Sequence, residues 1–276
     1  MTQLRIVSPE ALDFLPEHDP AAIRSRKDLR RIHAVMRTRK TILHELSESV
    51  LSHNPSRPHA GIDAKPVRVL ELGAGDGSLM LGIASALRTS ATAMGYDNHP
   101  RVDLTLLDRQ NLISQSIITG YASQGWHAKP MVVDALDWAK TNTDTNLKSY
   151  LSPRWDLIFS NLFLHHFEGK QLSMLLSAIE LRTDHFVAVE PRRGWLPLAG
   201  SHLIGAIGAN LVTRKDAVLS VHAGFRDAEL SSLWPSSATH ESVWDLREYP
   251  AGLFSHCFTG QRKSRSVPIK IDAYPL

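Results

Sequence analysis

The sequence predicts an α/β protein, a doubly wound sheet covered by helices on both faces, with a smaller helical piece in front of it. Three observations carry this. From Val67 to Glu190, short apolar runs alternate with helix-length segments, and strands that alternate with helices pair in parallel. The first run, "VRVLEL", is followed by Gly73, Gly75 and Gly77 just ahead of a helical segment, and ligands bind at such strand ends. The regular pattern closes with "SVWDLREYP" and "GLFSHCFTGQR", two strand-like runs joined by a short Pro-Ala-Gly turn region.

Taken in order, residues 19–52 read as helix. Asp19 and Pro20 form a cap followed by a first-turn proline, and Ile32, Val35, Met36, Ile42, Leu43, Leu46 and Val50 recur at about helical spacing. The many basic residues between Arg24 and Lys40 form either a solvated face or a cap over an anionic substrate. "SHNPSRPHAGIDAKP" is a loop of prolines, glycine and polar residues. Strands follow at "VRVLEL", "VDLTLLD", "AKPMVVD", "WDLIFSNL" and "DHFVAVE". Helices are expected over "GSLMLGIASALR", "RQNLISQSIITGYASQG" and "KQLSMLLSAIEL". After Gly194 a helical stretch runs to about Trp234. Within it "WLPLAGSHLIGAIGANLV" reads as a buried helix, since Pro197, Ser201, His202 and Asn210 interrupt it and it falls short of the ~20 apolar residues of a membrane span. An interfacial helix is the second reading.

The 276 residues, 43% of them hydrophobic, suit one large domain or one domain plus a cap. A net charge of +3 is too small to indicate nucleic acid by itself. The single cysteine, Cys257, excludes an intrachain disulfide and a cysteine-rich zinc site. "MTQLRIVSPEALDF" holds no leader-like apolar run, and the expected compartment is the cytoplasm.

The glycine loop discriminates between ligands. A phosphate-binding loop needs Gly-Lys-Ser/Thr, but Gly77 is followed by Ser78 and Leu79. A dinucleotide loop counted from Gly73 would need its third glycine at Ser78, and Glu71 would face the pyrophosphate. An acid at the strand end instead suits a ligand that carries positive charge.

"ELGAGDG" resembles the first motif of class I S-adenosylmethionine-dependent methyltransferases, of the small-molecule type found in bacterial metabolism. The resemblance extends from Val67 to about Phe258. It implies a Rossmann-like seven-stranded sheet with a C-terminal antiparallel hairpin strand, and S-adenosyl-L-methionine as cofactor. It divides the chain into a helical cap and linker (1–66), a methyltransferase domain (67–262) with an acceptor-side helical insertion at about 192–235, and a basic tail (263–276). Glu71, Gly73, Ala74, Gly75 and Gly77 would form the cofactor loop. "VDLTLLDRQN" resembles the second strand, whose terminal acid, Asp108, would hold the ribose hydroxyls, with Arg109 beside it; Asp97 in "AMGYDNHP" is the rival. "AKPMVVDALDW" resembles the third strand, with Asp134 and Ala135 at the adenine and Trp138 either against the ring or in the core. "WDLIFSNLFLHHFE" resembles the fourth, with Asn161 beside the methionine end.

His165 and His166 follow that strand and are the candidate catalytic residues, one of them as general base; His202 and His222 are weaker candidates. The Asn-Pro-Pro-aromatic pattern of DNA amino-methylation is missing, and no set of acids suggests magnesium, so no metal is expected. Arg192 and Arg193 would bind an anionic acceptor or pair with Glu190. The apolar stretch Leu196, Leu198, Leu203, Ile204 and Ile207 suggests a greasy, aromatic or polyketide-like small-molecule acceptor, methylated at oxygen or carbon. The expected partners include no nucleic acid and no membrane span, and the oligomeric state is open. The alternatives are an RNA or protein methyltransferase using the basic helix, a cofactor-binding protein without methyl transfer, or a cofactor-dependent cyclase or decarboxylase.

Overall fold

The structure is a computed structural model and describes residues 4–36, 38–46, 65–93, 101–141, 154–235 and 243–263. Its centre is a seven-stranded sheet in the order β3-β2-β1-β4-β5-β7-β6. The strands are β1 (Val67–Leu72), β2 (Val102–Asp108), β3 (Trp126–Val132), β4 (Leu157–Asn161), β5 (His185–Pro191), β6 (Val243–Ala251) and β7 (Ser255–Lys263). β1 to β5 run parallel, while β7 lies antiparallel to both β5 and β6. Strand order reverses between β1 and β4, the place where open α/β sheets hold ligands.

Alternation along the strands builds two cores. Val67 and Val69 of β1, Leu157 and Phe159 of β4, and Val187 and Val189 of β5 share one face. Leu70 and Leu72, Ile158, and Phe186 and Ala188 share the other. Successive strand side chains point to opposite faces, and strands buried on both sides read as continuous apolar runs. The first face is covered by α2 (Thr38–Leu46), α3 (Ser78–Ala93) and α4 (Gln115–Ser123), which supply Ile42, Met80, Ile83 and Tyr121 to its core. The second is covered by α5 (Ala135–Lys140) and α6 (Gly169–Arg182), through Trp138, Leu172, Leu175 and Ile179.

The helical stretch expected over 19–52 is, among the described residues, two helices, α1 (Pro20–Val35) and α2. Asp19 does cap α1, its Oδ1 accepting from Ala21 N–H at 2.7 Å and Ala22 N–H at 3.3 Å. The break comes because the two pieces serve different neighbours: α2 buries Ile42 and Leu46 in the sheet core, whereas α1 packs on α8 (Leu211–Ala223). The end of that expected helix and the loop after it, 47–64, lie outside the described residues, as do Asp97 and 264–276 of the tail. β3 begins and ends two residues earlier than expected, at Trp126 and Val132, which leaves Asp134 beyond the strand.

The buried helix expected at 195–212 is overturned. α7 (Trp195–Leu203) gives way to a 3-10 turn (Ile204–Ile207), and Gly208, at φ +83°, ends the run in a left-handed conformation. Within α7 only Pro197 and Ser201 are buried. α8 and α9 (Glu229–Leu233) complete the described helices. Among the described residues no helix is long and apolar enough to cross a membrane.

Candidate active site

Strand parity brings two polar side chains together at the switch point. Glu71 pairs with Phe159 across β1 and β4. It shares the face of Val67 and Val69, and Asn161 shares that of Leu157 and Phe159. Both are buried, and Glu71 Oε2 and Asn161 Oδ1 have no hydrogen-bond partner among the described residues. Buried polar atoms are nearly always satisfied, and these two are oxygens that a ligand seated at the switch point would satisfy. Burial, and then the charges of Asp108 and Asp76, push the Glu71 carboxyl up to about 8. Three acids crowded here favour a group that brings positive charge. Asn161 Nδ2 lies 3.4 Å from His33 Nε2 on α1. Burial, opposed by Asp76, brings His33 down to about 4, so its imidazole is neutral and accepts from the Asn161 amide. Arg30 of α1 reaches Asp76 at 3.0 Å. α1 is thereby drawn over the glycine loop.

Gly73 and Gly75 have φ of +70° and +55°, the left-handed region where a side chain is strained. A Cβ on Gly73 would collide with the Phe163 ring, while one on Gly75 would meet nothing within 4 Å. Gly75 therefore presents bare backbone to open space, a cradle that a side chain would fill. Gly75 N–H donates to Asp108 Oδ2 and Gln110 N–H donates to Asp108 Oδ1, each at 2.9 Å. Each carboxylate oxygen keeps acceptor capacity for a ligand diol. Asp134 caps α5, accepting from Leu136 N–H at 2.8 Å. Ala74 and Gly77 belong to the loop's own turn, Gly77 N–H donating to the Ala74 carbonyl at 3.0 Å.

A cavity of about 780 Å³ runs from this end to the histidines, within the roughly 300–1,000 Å³ of ligand sites. Gly73, Asp108, Arg109, Asp134, Ala135, His165 and His166 line it. Its walls otherwise include Leu29 and Ile32 of α1, Met36 just after it, Phe163, and Ile204 and Ile207. Glu71, Gly75 and Asn161 do not line it, although Asp108 in its wall holds Gly75 directly.

At the far end the two histidines are set differently. Glu190 is buried at the end of β5 and accepts from the backbone N–H groups of Phe163, Leu164 and His165. His165 donates from Nδ1 to Glu190 at 2.9 Å and from Nε2 to Glu10 at 3.2 Å. Burial alone would lower the His165 pKa, but the hydrogen bonds and charges of the two carboxylates outweigh it and bring it up to about 9. Protonated and bonded at both nitrogens, His165 has no lone pair to offer at neutral pH. His166 is partly exposed, and its Nδ1 lies 3.1 Å from Asp13 Oδ2. Burial pushes Asp13 up, yet its hydrogen bond to His166 and the nearby positive charges leave it below the ordinary aspartate value. With Nδ1–H given to Asp13, neutral His166 carries its lone pair on Nε2. Arg109 also bonds the Asp13 carbonyl and lies 3.8 Å from its carboxylate, which ties the second strand end to the N-terminal segment.

The His165 arrangement has a consequence for stability. Its folded pKa stands above the ordinary 6.5, so the stabilisation is fully present below that value and is lost as pH rises through about 9. Unfolding free energy is expected to fall by on the order of 2 kcal/mol between neutral and that pH. Urea denaturation at several pH values measures it, and His165→Gln should flatten the profile.

Glu10, His165 and His166 each bring a ligand-type atom within 4.8 Å of the others, the one such group among the described residues. A metal there would have to displace the proton that His165 holds. Arg193 pairs with Glu229 and the Gly224 carbonyl rather than with Glu190, because Glu190 is committed to the turn that carries the histidines. Trp138 lies in the second core beneath Arg182, whose guanidinium stands 4.4 Å over its ring. His202 and His222 do not line the cavity. Glu10, Asp13 and His33 were not found from the sequence. Glu10 and Asp13 sit in "SPEALDF", far from their partners along the chain and in no motif, and His33 is hidden among the basic residues of α1.

No protein-family model matches the chain, and no curated protein matches it in sequence. Solved structures do match. The plantazolicin methyltransferase BamL, in complex with a triazolic desmethylPZN analog and SAH, is 14% identical, covers 92% of this chain and 93% of its own, and superposes with a TM-score of 0.52. The magnesium protoporphyrin IX methyltransferase of Synechocystis PCC 6803 with bound SAM is 12% identical over 92% of this chain and 88% of its own, with a TM-score of 0.48. The first likeness, with the strand order and the antiparallel β7, shows that the chain has the Rossmann-like fold of class I methyltransferases.

Proposed function

We propose that the protein transfers a methyl group from S-adenosyl-L-methionine to an oxygen or carbon of a small, apolar acceptor of aromatic or polyketide-like chemistry. The observation that carries this is the buried Glu71 carboxyl, whose Oε2 has no partner among the described residues, near an open glycine cradle that Asp108 links to a cavity also lined by His166. BamL, whose fold the chain shares, binds SAH. When bound, the cofactor supplies a methyl group already activated by a sulfonium. Glu71 and the Asn161 amide oxygen would hold its cationic end, Asp108 the ribose and Asp134 with Ala135 the adenine. His166 would take the acceptor proton at Nε2, with Asp13 fixing the ring through Nδ1. Glu190, Glu10 and His165 would hold the turn that presents it. Leu29, Ile32, Met36, Ile204 and Ile207 would exclude water from the reacting atoms and suit an apolar acceptor.

Calorimetric titration with S-adenosylmethionine and, separately, NADH tests the cofactor; labelled methyl transfer onto phenolic and polyketide acceptors tests the reaction. Binding of the first ligand alone is expected. Asp108→Asn keeps the shape but removes the charge and one acceptor, which should weaken cofactor binding roughly tenfold. Unchanged affinity would take Asp108 out of the ribose role and return it to Asp97.

A further inference from the structure

Apolar side chains face solvent beside the part of the cavity wall formed by Ile204 and Ile207. On α7 and the turn after it, Trp195 is 80% exposed, Leu203 68% and Ile207 46%, and Leu211 at the start of α8 is 63% exposed. Trp195 and Leu203, eight residues apart on α7, share one helical face. Ile204 and Ile207 belong both to this outer surface and to the cavity wall. Exposed contiguous apolar surface of this kind marks an interaction site.

Cations flank it. Arg214 lies over Gly205, where a Cβ would meet its Nε at 2.8 Å, and Lys215 is exposed beside it. α1 is pinned alongside by Asp28, which accepts from Asn210 N–H at 2.8 Å, and by the Asn210 amide, which donates to the Ala21 carbonyl at 3.1 Å. The α1 positions next to that contact carry Arg24, Lys27 and Arg31, all exposed. Aliphatic and indole side chains between lysines and arginines are the pattern of a surface that lies on an anionic bilayer. A second copy seated on this face through a two-fold axis would set cations against cations. RNA would use the cations but gain nothing from Leu203 and Leu211.

We propose that this face docks on anionic membrane surface, so that an apolar acceptor enters the cavity past Ile204 and Ile207 without crossing water. The binding surface stands independently of the methyl-transfer reading; only the delivery of acceptor rests on it. Flotation of the full chain with vesicles of phosphatidylcholine, alone or mixed with phosphatidylglycerol, tests the docking without any turnover. Binding to the mixed vesicles is expected, weak on phosphatidylcholine alone and falling with salt. Arg24→Gln and Lys27→Gln should each weaken it roughly fivefold. Trp195→Ser with Leu203→Ser and Leu211→Ser should abolish it while circular dichroism and cofactor affinity stay those of the wild type. Failure of the wild type to float, or equal flotation of the triple variant, overturns the proposal. So does a lipid-free dimer that the triple variant dissociates, or retention of single-stranded RNA in place of vesicles.

Discussion

Affinity for S-adenosylmethionine is expected to rise about 20-fold between about pH 6.5 and about pH 8.5. The cause is Glu71. Buried among Asp108 and Asp76, its carboxyl titrates at about 8 in the free protein. A cationic ligand favours the ionised form, so binding must release the proton that Glu71 holds below that pH. The sign follows: on the acid side the ligand bears the cost of ionisation, and above about 8 that cost is gone. The same shift opposes folding, because an unfolded glutamate ionises at its ordinary 4.5 and the folded one does not, so this part of the stability falls as pH rises between the two values. Calorimetry in buffers of different ionisation heat should report release approaching one proton near neutral pH. Glu71→Gln should remove both the slope and the proton release. It should also weaken binding at the alkaline end by about 2 kcal/mol, some 30-fold, through loss of a charge-assisted contact. If the variant keeps the wild-type slope, the proton comes from another group and Glu71 does not meet the cofactor's charge.

That Glu71 could be singled out from sequence, while Glu10 could not, has a physical reason. Glu71 is the next-to-last residue of an apolar strand that runs into glycines, so local pattern alone fixes its place: parity sets the face, and the loop sets the strand end. The same holds for Asp108 and Asn161, each the last residue of its strand. His165 and His166 were legible as neighbours of that edge, but not their difference, since one ring turns toward Glu190 and Glu10 and the other toward Asp13. Glu10 and Asp13 arrive by long-range packing of the N-terminal segment, held by Asp216, which accepts from the N–H groups of Ala11 and Leu12 at 2.9 Å. Composition misled at 195–212, where apolar residues suggested burial. Gly205 and Gly208 fall in a 3-10 turn and its left-handed end rather than in one long helix, and Leu203 and Leu211 end on the outside.

The division of labour between the two histidines predicts opposite failures. His166→Ala should lower kcat by about 10²–10⁴-fold, the range of general acid–base catalysis, and leave cofactor affinity unchanged, because in the proposed reaction His166 meets the acceptor and not the cofactor. Asp13→Asn should lower kcat by a smaller factor in the same direction, since an amide can still bond the ring but no longer fixes which nitrogen carries the proton. The double variant should be no slower in the methyl-transfer step than His166→Ala alone, because Asp13 reaches the proton transfer through the ring. His165→Gln should instead lower the denaturation midpoint, with activity following the folded fraction, since its two nitrogens are spent on Glu190 and Glu10. Single-turnover methyl transfer beside a cofactor titration separates these outcomes. Wild-type kcat in His166→Ala would mean that the acceptor proton leaves by another route and that Asp13 and His166 only brace the N-terminal segment against the cavity.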